Sequence, residues 1–152
     1  PLAYLMAKTT KLKFGTGILQ VGTRSPALVA MTAMTLDSMS GGRFMLGLGT
    51  SGPQVIEGWH GIPFRKPIQH TREVIEVCRR IFNGETLTYD GEFYHLPLGA
   101  EHGGTGEGKA LRSGAPATPN LPIYVASLGP KNLQLTGELA DELVKEPMVI
   151  LF

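Results

Sequence analysis

The sequence predicts an α/β fold in which parallel strands are joined by helices. Two observations carry that prediction. Residues 14–61 read as strand, turn, proline-opened helix, double-glycine stop, second buried strand and glycine-rich loop, the order of a strand–helix–strand crossover. The alternation returns at residues 122–126 (PIYVA), an apolar run followed by a helical pattern over residues 130–141. In such folds the loops at the carboxyl ends of the strands hold the ligand.

Each element has a local reason. The opening, PLAYLMAKTTKLKF, reads as the end of a helix running into a strand, as in a chain that starts inside a domain. Residues 12–19 (LKFGTGIL) are a short apolar run bounded by lysines and glycines, a strand pattern. Ser25 and Pro26 open a helix: a serine hydroxyl caps free backbone N–H groups, and proline suits the first helical position. Residues 27–39 are apolar nearly all round (Leu28, Val29, Met31, Met34, Leu36, Met39), with small Ala30 and Ala33 between them. A helix with so narrow a polar face is expected to pack between other elements. Gly41-Gly42 stops it. Residues 43–49 (RFMLGLG) are continuously apolar, as in a parallel strand covered on both faces.

Over residues 70–83, Val74, Val77, Cys78, Ile81 and Phe82 recur at helical spacing. Arg72, Glu73, Glu76, Arg79 and Arg80 are left for the solvated face, with Arg72–Glu76 and Glu76–Arg80 spaced to pair at about 0.3 kcal/mol each. Asn83-Gly84 ends the helix. Residues 87–96 (LTYDGEFYHL) place aromatics on both sides of Asp90-Gly91, the signal of a two-residue hairpin turn. Residues 100–120 are rich in glycine and proline, without periodicity, and form a long loop. The tail MVILF reads as the start of a further strand. An open sheet and a closed eight-stranded barrel both satisfy this layout. A complete barrel takes roughly 250 residues, so the chain is expected to supply about half of one.

Composition narrows the function classes. The chain has 152 residues, 42% hydrophobic and 18% charged, with a net charge of +1, as in a globular protein. Near-balanced charge without a lysine–arginine run argues against a nucleic-acid surface or a polybasic membrane patch. No apolar run approaches the ~18 residues of a membrane span, and no signal peptide opens the chain. The single Cys78 excludes an internal disulfide and suits a reducing, cytoplasmic compartment.

Several motifs invite chemistry. Gly47-x-Gly49-x-x-Gly52 follows a strand as a dinucleotide fingerprint does, but Pro53 and the lack of a helix-periodic run after it disfavour that reading. Thr50 and Ser51 still offer hydroxyls in a loop suited to an anion or a cofactor, with an ordinary strand-to-loop turn as the plainer alternative. Residues 103–109 (GGTGEGK) match the spacing of a phosphate loop, yet Ala110 stands where a hydroxyl is needed and no strand precedes it, so they read as flexible loop. Ser127–Lys131 joins a strand to a helix, where free N–H groups and the helix dipole form an anion site or an ordinary turn. Glu57, Trp59 and His60 cluster in one loop and offer proton transfer or packing. Asp37 and Arg43 are spaced for a structural ion pair. The four histidines, His60, His70, His95 and His102, lack metal-ligand spacing, so no metal is expected. With no G-x-S-x-G elbow, nucleophilic hydrolysis has no support.

FGTGILQV, TRSPALVAMTAMTLDSMSGGRFMLGLGTSGPQVIEGWHG, TREVIEVCRRIF, TYDGEFYHLPL and IYVASLGPKNLQLTGELAD together resemble the bacterial luciferase-like monooxygenase superfamily. Within it they are most similar to the branch of F420-dependent oxidoreductases. The resemblance implies a partial (β/α)8 TIM barrel over residues 1–152, from about the third strand to the fifth helix, with a hairpin and loop insertion at about 85–121. It further implies hydride transfer between the deazaflavin coenzyme F420 and a small organic substrate. A flavin mononucleotide monooxygenase is the first alternative, and a non-catalytic half-barrel that assembles with itself or another chain is the second. By the same resemblance Gly17 and Ile18 form a bulge with a non-proline cis peptide behind the cofactor ring. Thr50 and Ser51 contact the cofactor, and Ser127, Leu128 and Gly129 hold its phosphate. Gly52 stands where members that oxidise sugar phosphates carry a catalytic glutamate. The first two strands and everything after the fifth helix are absent, and Glu142–Phe152 departs from the family's sixth-strand pattern. No catalytic acid or base is assigned, and the chain alone is expected to associate through open edges without turnover.

Overall fold

Four parallel strand positions lie side by side in the computed structural model, which describes residues 1–127, 130–140 and 149–151. Helix α1 (Leu2–Lys8) leads into strand β1 (Phe14–Thr16), which continues after a break as β2 (Leu19–Gln20). Helix α2 (Pro26–Ser40) crosses over to β3 (Phe44–Gly49), which pairs in parallel with both β1 and β2. A short helix, α3 (Pro53–Ile56), and the long α4 (Pro67–Phe82) follow. Strands β4 (Tyr89–Asp90) and β5 (His95–Leu96) form an antiparallel hairpin, and a 3-10 turn spans Ala100–His102. Strand β6 (Ile123–Val125) pairs with the other side of β3 and leads to α5 (Pro130–Leu139). Strand β7 (Val149–Leu151) pairs in parallel with β1, Phe14 opposite Val149.

The spatial order is therefore β7, β1 with β2, β3, β6. The three strands expected from the sequence stand in their expected order. The tail is a strand as expected, but it lies on the far side of β1 from β3, so strands consecutive in the chain are not neighbours here.

Local rules explain the helix ends. The Ser25 hydroxyl accepts from the backbone N–H of Leu28, Pro26 occupies the first turn, and Gly41 closes α2 with a left-handed φ of 66°. The core joins Phe14, Phe44, Leu46, Leu48 and Ile123 of the sheet to Val29, Ala30, Ala33 and Met34 of α2 and to Val74, Val77, Cys78, Ile81 and Phe82 of α4. Burial pushes the Cys78 thiol up to about 12, which leaves it an inert packing group. One face of α2 remains open, contrary to expectation: Leu28, Met31 and Met39 are exposed. The small Ala30 and Ala33 bring the opposite face close to its neighbours, and the larger residues are left outside.

Three charge assignments change. Arg43 does not pair with Asp37. Its guanidinium donates to the carbonyls of Ser40 at the end of α2, of Met6 and Thr9 at the end of α1, and of Leu12 before β1. Burial raises the Asp37 pKa, opposed in part by the N–H of Phe44. Arg72 pairs with Glu138 across to α5, Glu76 accepts from the Tyr89 hydroxyl at 2.6 Å, and Arg80 donates to the Thr88 carbonyl, so neither expected pair along α4 forms. Glu73, expected in solvent, is fully buried.

Candidate functional site

The carboxyl ends of β2, β3 and β6 converge on one edge of the sheet. The Gly17–Ile18 peptide is cis, as the resemblance implied, and it falls in the break between β1 and β2. The Thr16 side chain fills the resulting gap in the ladder to β3. Ile18 turns outward, 36% exposed, and lies over Gly49: a Cβ added there would meet Ile18 Cγ1 at 3.0 Å and Ala126 Cβ at 3.4 Å. Gly49 thus brings the ends of three strands to one small apolar platform.

Hydroxyl groups border this platform. Ser51 directly follows Thr50 after β3 and has φ 58°, a left-handed conformation uncommon outside glycine. Such backbone persists where the surroundings enforce it and gathers at ligand sites. The Gln20 side chain donates to Ser51 Oγ at 3.4 Å, tying β2 to the loop, and Thr50 Oγ1 donates to the Ser51 carbonyl at 3.2 Å. Beyond β6, the Ser127 hydroxyl bonds with that of Thr136 on α5, which fixes Ser127 against the first turns of the helix. Leu128 and Gly129 lie outside the described residues. Gly17, Ile18, Thr50, Ser51 and Ser127 are thus all on the carboxyl side of the sheet.

The loop after β3 does not assemble a proton-transfer pair. Residues 53–56 form the short α3, where no helix was expected. Glu57 Oε1 accepts from the backbone N–H of Phe64 at 2.9 Å, while Trp59 is 85% exposed and His60 is also in solvent. Glu57 is therefore a loop clamp.

A second polar centre was missed by sequence reasoning. Glu73 on α4 accepts at Oε1 from Gln69 and the backbone N–H of Glu92, each at 2.9 Å, and at Oε2 from the N–H of Phe93 and Tyr94 at 2.9 and 3.3 Å. Burial alone would raise its pKa, but these donors outweigh it and hold the carboxyl below its usual value. A Cβ at Gly91 would meet Glu73 Oε2 at 2.5 Å, so glycine there admits the carboxylate. The turn is consequently longer than the expected two residues: Asp90 pairs with His95 inside the ladder, and Gly91 donates to the Tyr94 carbonyl. The available signal was the hairpin loop itself, whose free N–H groups need an acceptor.

His70, one turn before Glu73, links this hairpin to the sheet. Its ring stacks on Phe93 at 4.2 Å, its Nε2 lies 2.8 Å from the Tyr94 hydroxyl, and it packs beneath Gly22, where a Cβ would meet its Cε1 at 2.7 Å. Burial lowers its pKa; Glu73 opposes that shift and Arg65 adds to it. No helix among the described residues is long and apolar enough to cross a membrane.

A profile of the family described as luciferase-like monooxygenase matches residues 1–147. The chain is 46% identical over 143 residues to a putative coenzyme F420-dependent oxidoreductase of Mycobacterium tuberculosis, covering 93% of this chain and 41% of that protein. It is 36% identical to a 5,10-methylenetetrahydromethanopterin reductase of Archaeoglobus fulgidus, covering 92% of this chain and 38% of the relative. The solved coenzyme F420-dependent tetrahydromethanopterin reductase of Methanopyrus kandleri superposes with a TM-score of 0.70 at 29% identity, over 91% of this chain and 41% of that one. The chain thus spans about two fifths of the length of these relatives, and its parallel sheet corresponds to part of their barrel.

Proposed function

This chain belongs to the luciferase-like monooxygenase family, and on that premise we propose that it forms the cofactor-binding part of an oxidoreductase transferring hydride between coenzyme F420 and a small organic substrate. The observation that carries the reading is the left-handed Ser51 at the carboxyl edge, next to the place where Ile18, Gly49 and Ala126 bring three strand ends together. Two of these relatives carry coenzyme F420 in their names, the putative oxidoreductase of Mycobacterium tuberculosis and the solved reductase of Methanopyrus kandleri, which supports the choice of cofactor.

The residues fit such a group. Ile18 and Ala126, which close over the buried Gly49, offer an apolar surface for a ring, and glycine at 49 lets both side chains come down onto the strand. Thr50 and Ser51 provide hydroxyls at its rim. Ser127 stands before the N-terminus of α5, where free N–H groups favour a phosphate. When bound, the deazaflavin supplies the hydride chemistry; these residues bind it, orient it and keep one face covered. None is a proton donor or acceptor suited to the reaction, so the 152-residue chain alone is expected to bind without turnover.

Titration of the chain with F420 and with flavin mononucleotide tests the reading. A bound species absorbing near roughly 400–420 nm identifies the deazaflavin, and one near roughly 450 nm the flavin. Binding of flavin alone would replace F420 in the proposal. Binding of neither would favour a structural half-barrel.

A further inference from the structure

The hairpin carries a polar cluster remote in sequence from the cofactor edge. Asp90 and His95 face each other across β4 and β5, with Asp90 Oδ1 2.6 Å from His95 Nδ1. His102, at the end of the 3-10 turn, returns over this pair and stacks on His95 with ring centroids 3.5 Å apart and planes within 3°. One ligand atom from each of the three lies within 4.8 Å of the others. They line an open cleft of about 420 Å³ with Glu101, Thr88 and Arg80.

We propose that Asp90, His95 and His102 form a binding site for a divalent transition cation of the zinc type, fastening the hairpin to the segment that follows it. Two imidazoles and a carboxylate are a donor set that such ions take, with remaining positions open to water. Bonds of about 2.0–2.1 Å to nitrogen and oxygen place tetrahedral ligand atoms about 3.4 Å apart, so ligand atoms now within 4.8 Å must draw together while the Asp90–His95 pair opens from 2.6 Å. Parallel rings cannot both aim a lone pair at one ion, so one of them must turn. His102 is free to do so: it is exposed, neither ring nitrogen has a hydrogen-bond partner among the described residues, and Gly103 follows with φ 87°. Arg80, the nearby cation, is engaged with the Thr88 carbonyl and the Tyr89 ring. The ion would displace the Asp90–His95 contact and use both groups as ligands. Residue spacing in the sequence could not show this, because the hairpin register and the 3-10 turn bring the three together.

The metal-stripped chain is titrated with Co2+ alone, following its visible absorption, then with Zn2+ as competitor. A single saturable Co2+ spectrum displaced by Zn2+ is expected, together with a raised thermal midpoint that EDTA reverses. His102→Ala and Asp90→Asn should each weaken Co2+ binding at least tenfold, while His60→Ala, on the loop after β3, should leave it unchanged. Far-UV circular dichroism confirms that each variant keeps its secondary structure. No Co2+ spectrum in the unaltered chain, or equal affinity in the His102→Ala and Asp90→Asn variants, overturns the site. Equal loss in His60→Ala would likewise overturn it in favour of diffuse histidine binding.

Discussion

The hydroxyl of Thr16 accepts from the backbone N–H of Gly47 at 2.9 Å and donates to the carbonyl of the same residue at 2.8 Å. One side chain thus replaces the backbone pairing that β1 and β2 lose at their break. The two residues are also pressed together, since a Cβ at Gly47 would lie 1.8 Å from the Thr16 carbonyl oxygen. Thr16→Val should leave both Gly47 groups unsatisfied and destabilise the chain by about 1–3 kcal/mol. Gly47→Ala should force the strands apart at a cost of about 1–3 kcal/mol or more. Urea unfolding of both variants measures this. A midpoint unchanged in Thr16→Val would show that water or a backbone shift satisfies Gly47.

Glu73→Gln tests the hairpin clamp. The carboxamide keeps one acceptor oxygen but turns an NH2 group toward backbone N–H donors, so about 1–3 kcal/mol should be lost. Amide exchange of Glu92, Phe93 and Tyr94 should accelerate before that of β3. Equal acceleration across the sheet would show that Glu73 supports the whole fold and not the hairpin in particular.

His70 should make stability depend on pH. Its folded pKa lies below the ordinary value of 6.5, so between the two values the unfolded chain holds a proton that the folded chain does not. Stability is then fully present above about 6.5, falls as pH drops through the interval, and levels off below the folded pKa. Glu73, also lowered from its usual 4.5, adds a separate loss below that value. Calorimetry of the unaltered chain and of His70→Gln separates the two: the upper loss should vanish in the variant and the lower one remain.

Ser51→Gly and Ser51→Val separate backbone from side chain at the cofactor edge. Glycine accepts the φ of 58° and should retain folding while losing the hydroxyl, with F420 affinity reduced several-fold. Valine resists that conformation at a cost of about 1–3 kcal/mol and should lose affinity further. Gly129→Val, at the position that the resemblance assigns to the cofactor phosphate, should weaken F420 binding. Isothermal titration of the three variants checks the order, and equal affinity throughout would move the cofactor elsewhere.

Much of this fold was legible because its signals are local. Ser25-Pro26 and Gly41-Gly42 bracket α2 within a residue, and the apolar spacing from Val74 to Phe82 marks the buried side of α4. Thr50, Ser51 and Ser127 stood out by their place just after buried strands, with an ordinary turn as the alternative, whereas Gly17 and Ile18 were reached through family resemblance alone. What stayed hidden was long-range. Glu73 is indistinguishable in the sequence from Glu76 until the hairpin supplies donors above it, and Arg43 finds carbonyls of helix ends that spacing along one chain segment does not reveal.

Arg43 has a consequence for how the molecule comes apart. Its guanidinium gathers Met6 and Thr9 at the end of α1, Leu12 before β1 and Ser40 at the end of α2, joining chain segments as much as 37 positions apart. A seven-residue helix is too short to persist unaided, so α1 borrows its order from the core that buries Met6 and from Arg43, the residue that leads into β3. It should not fray as an independent end; its amides should open together with the first residues of β3, as one cooperative unit whose two halves are far apart in the chain.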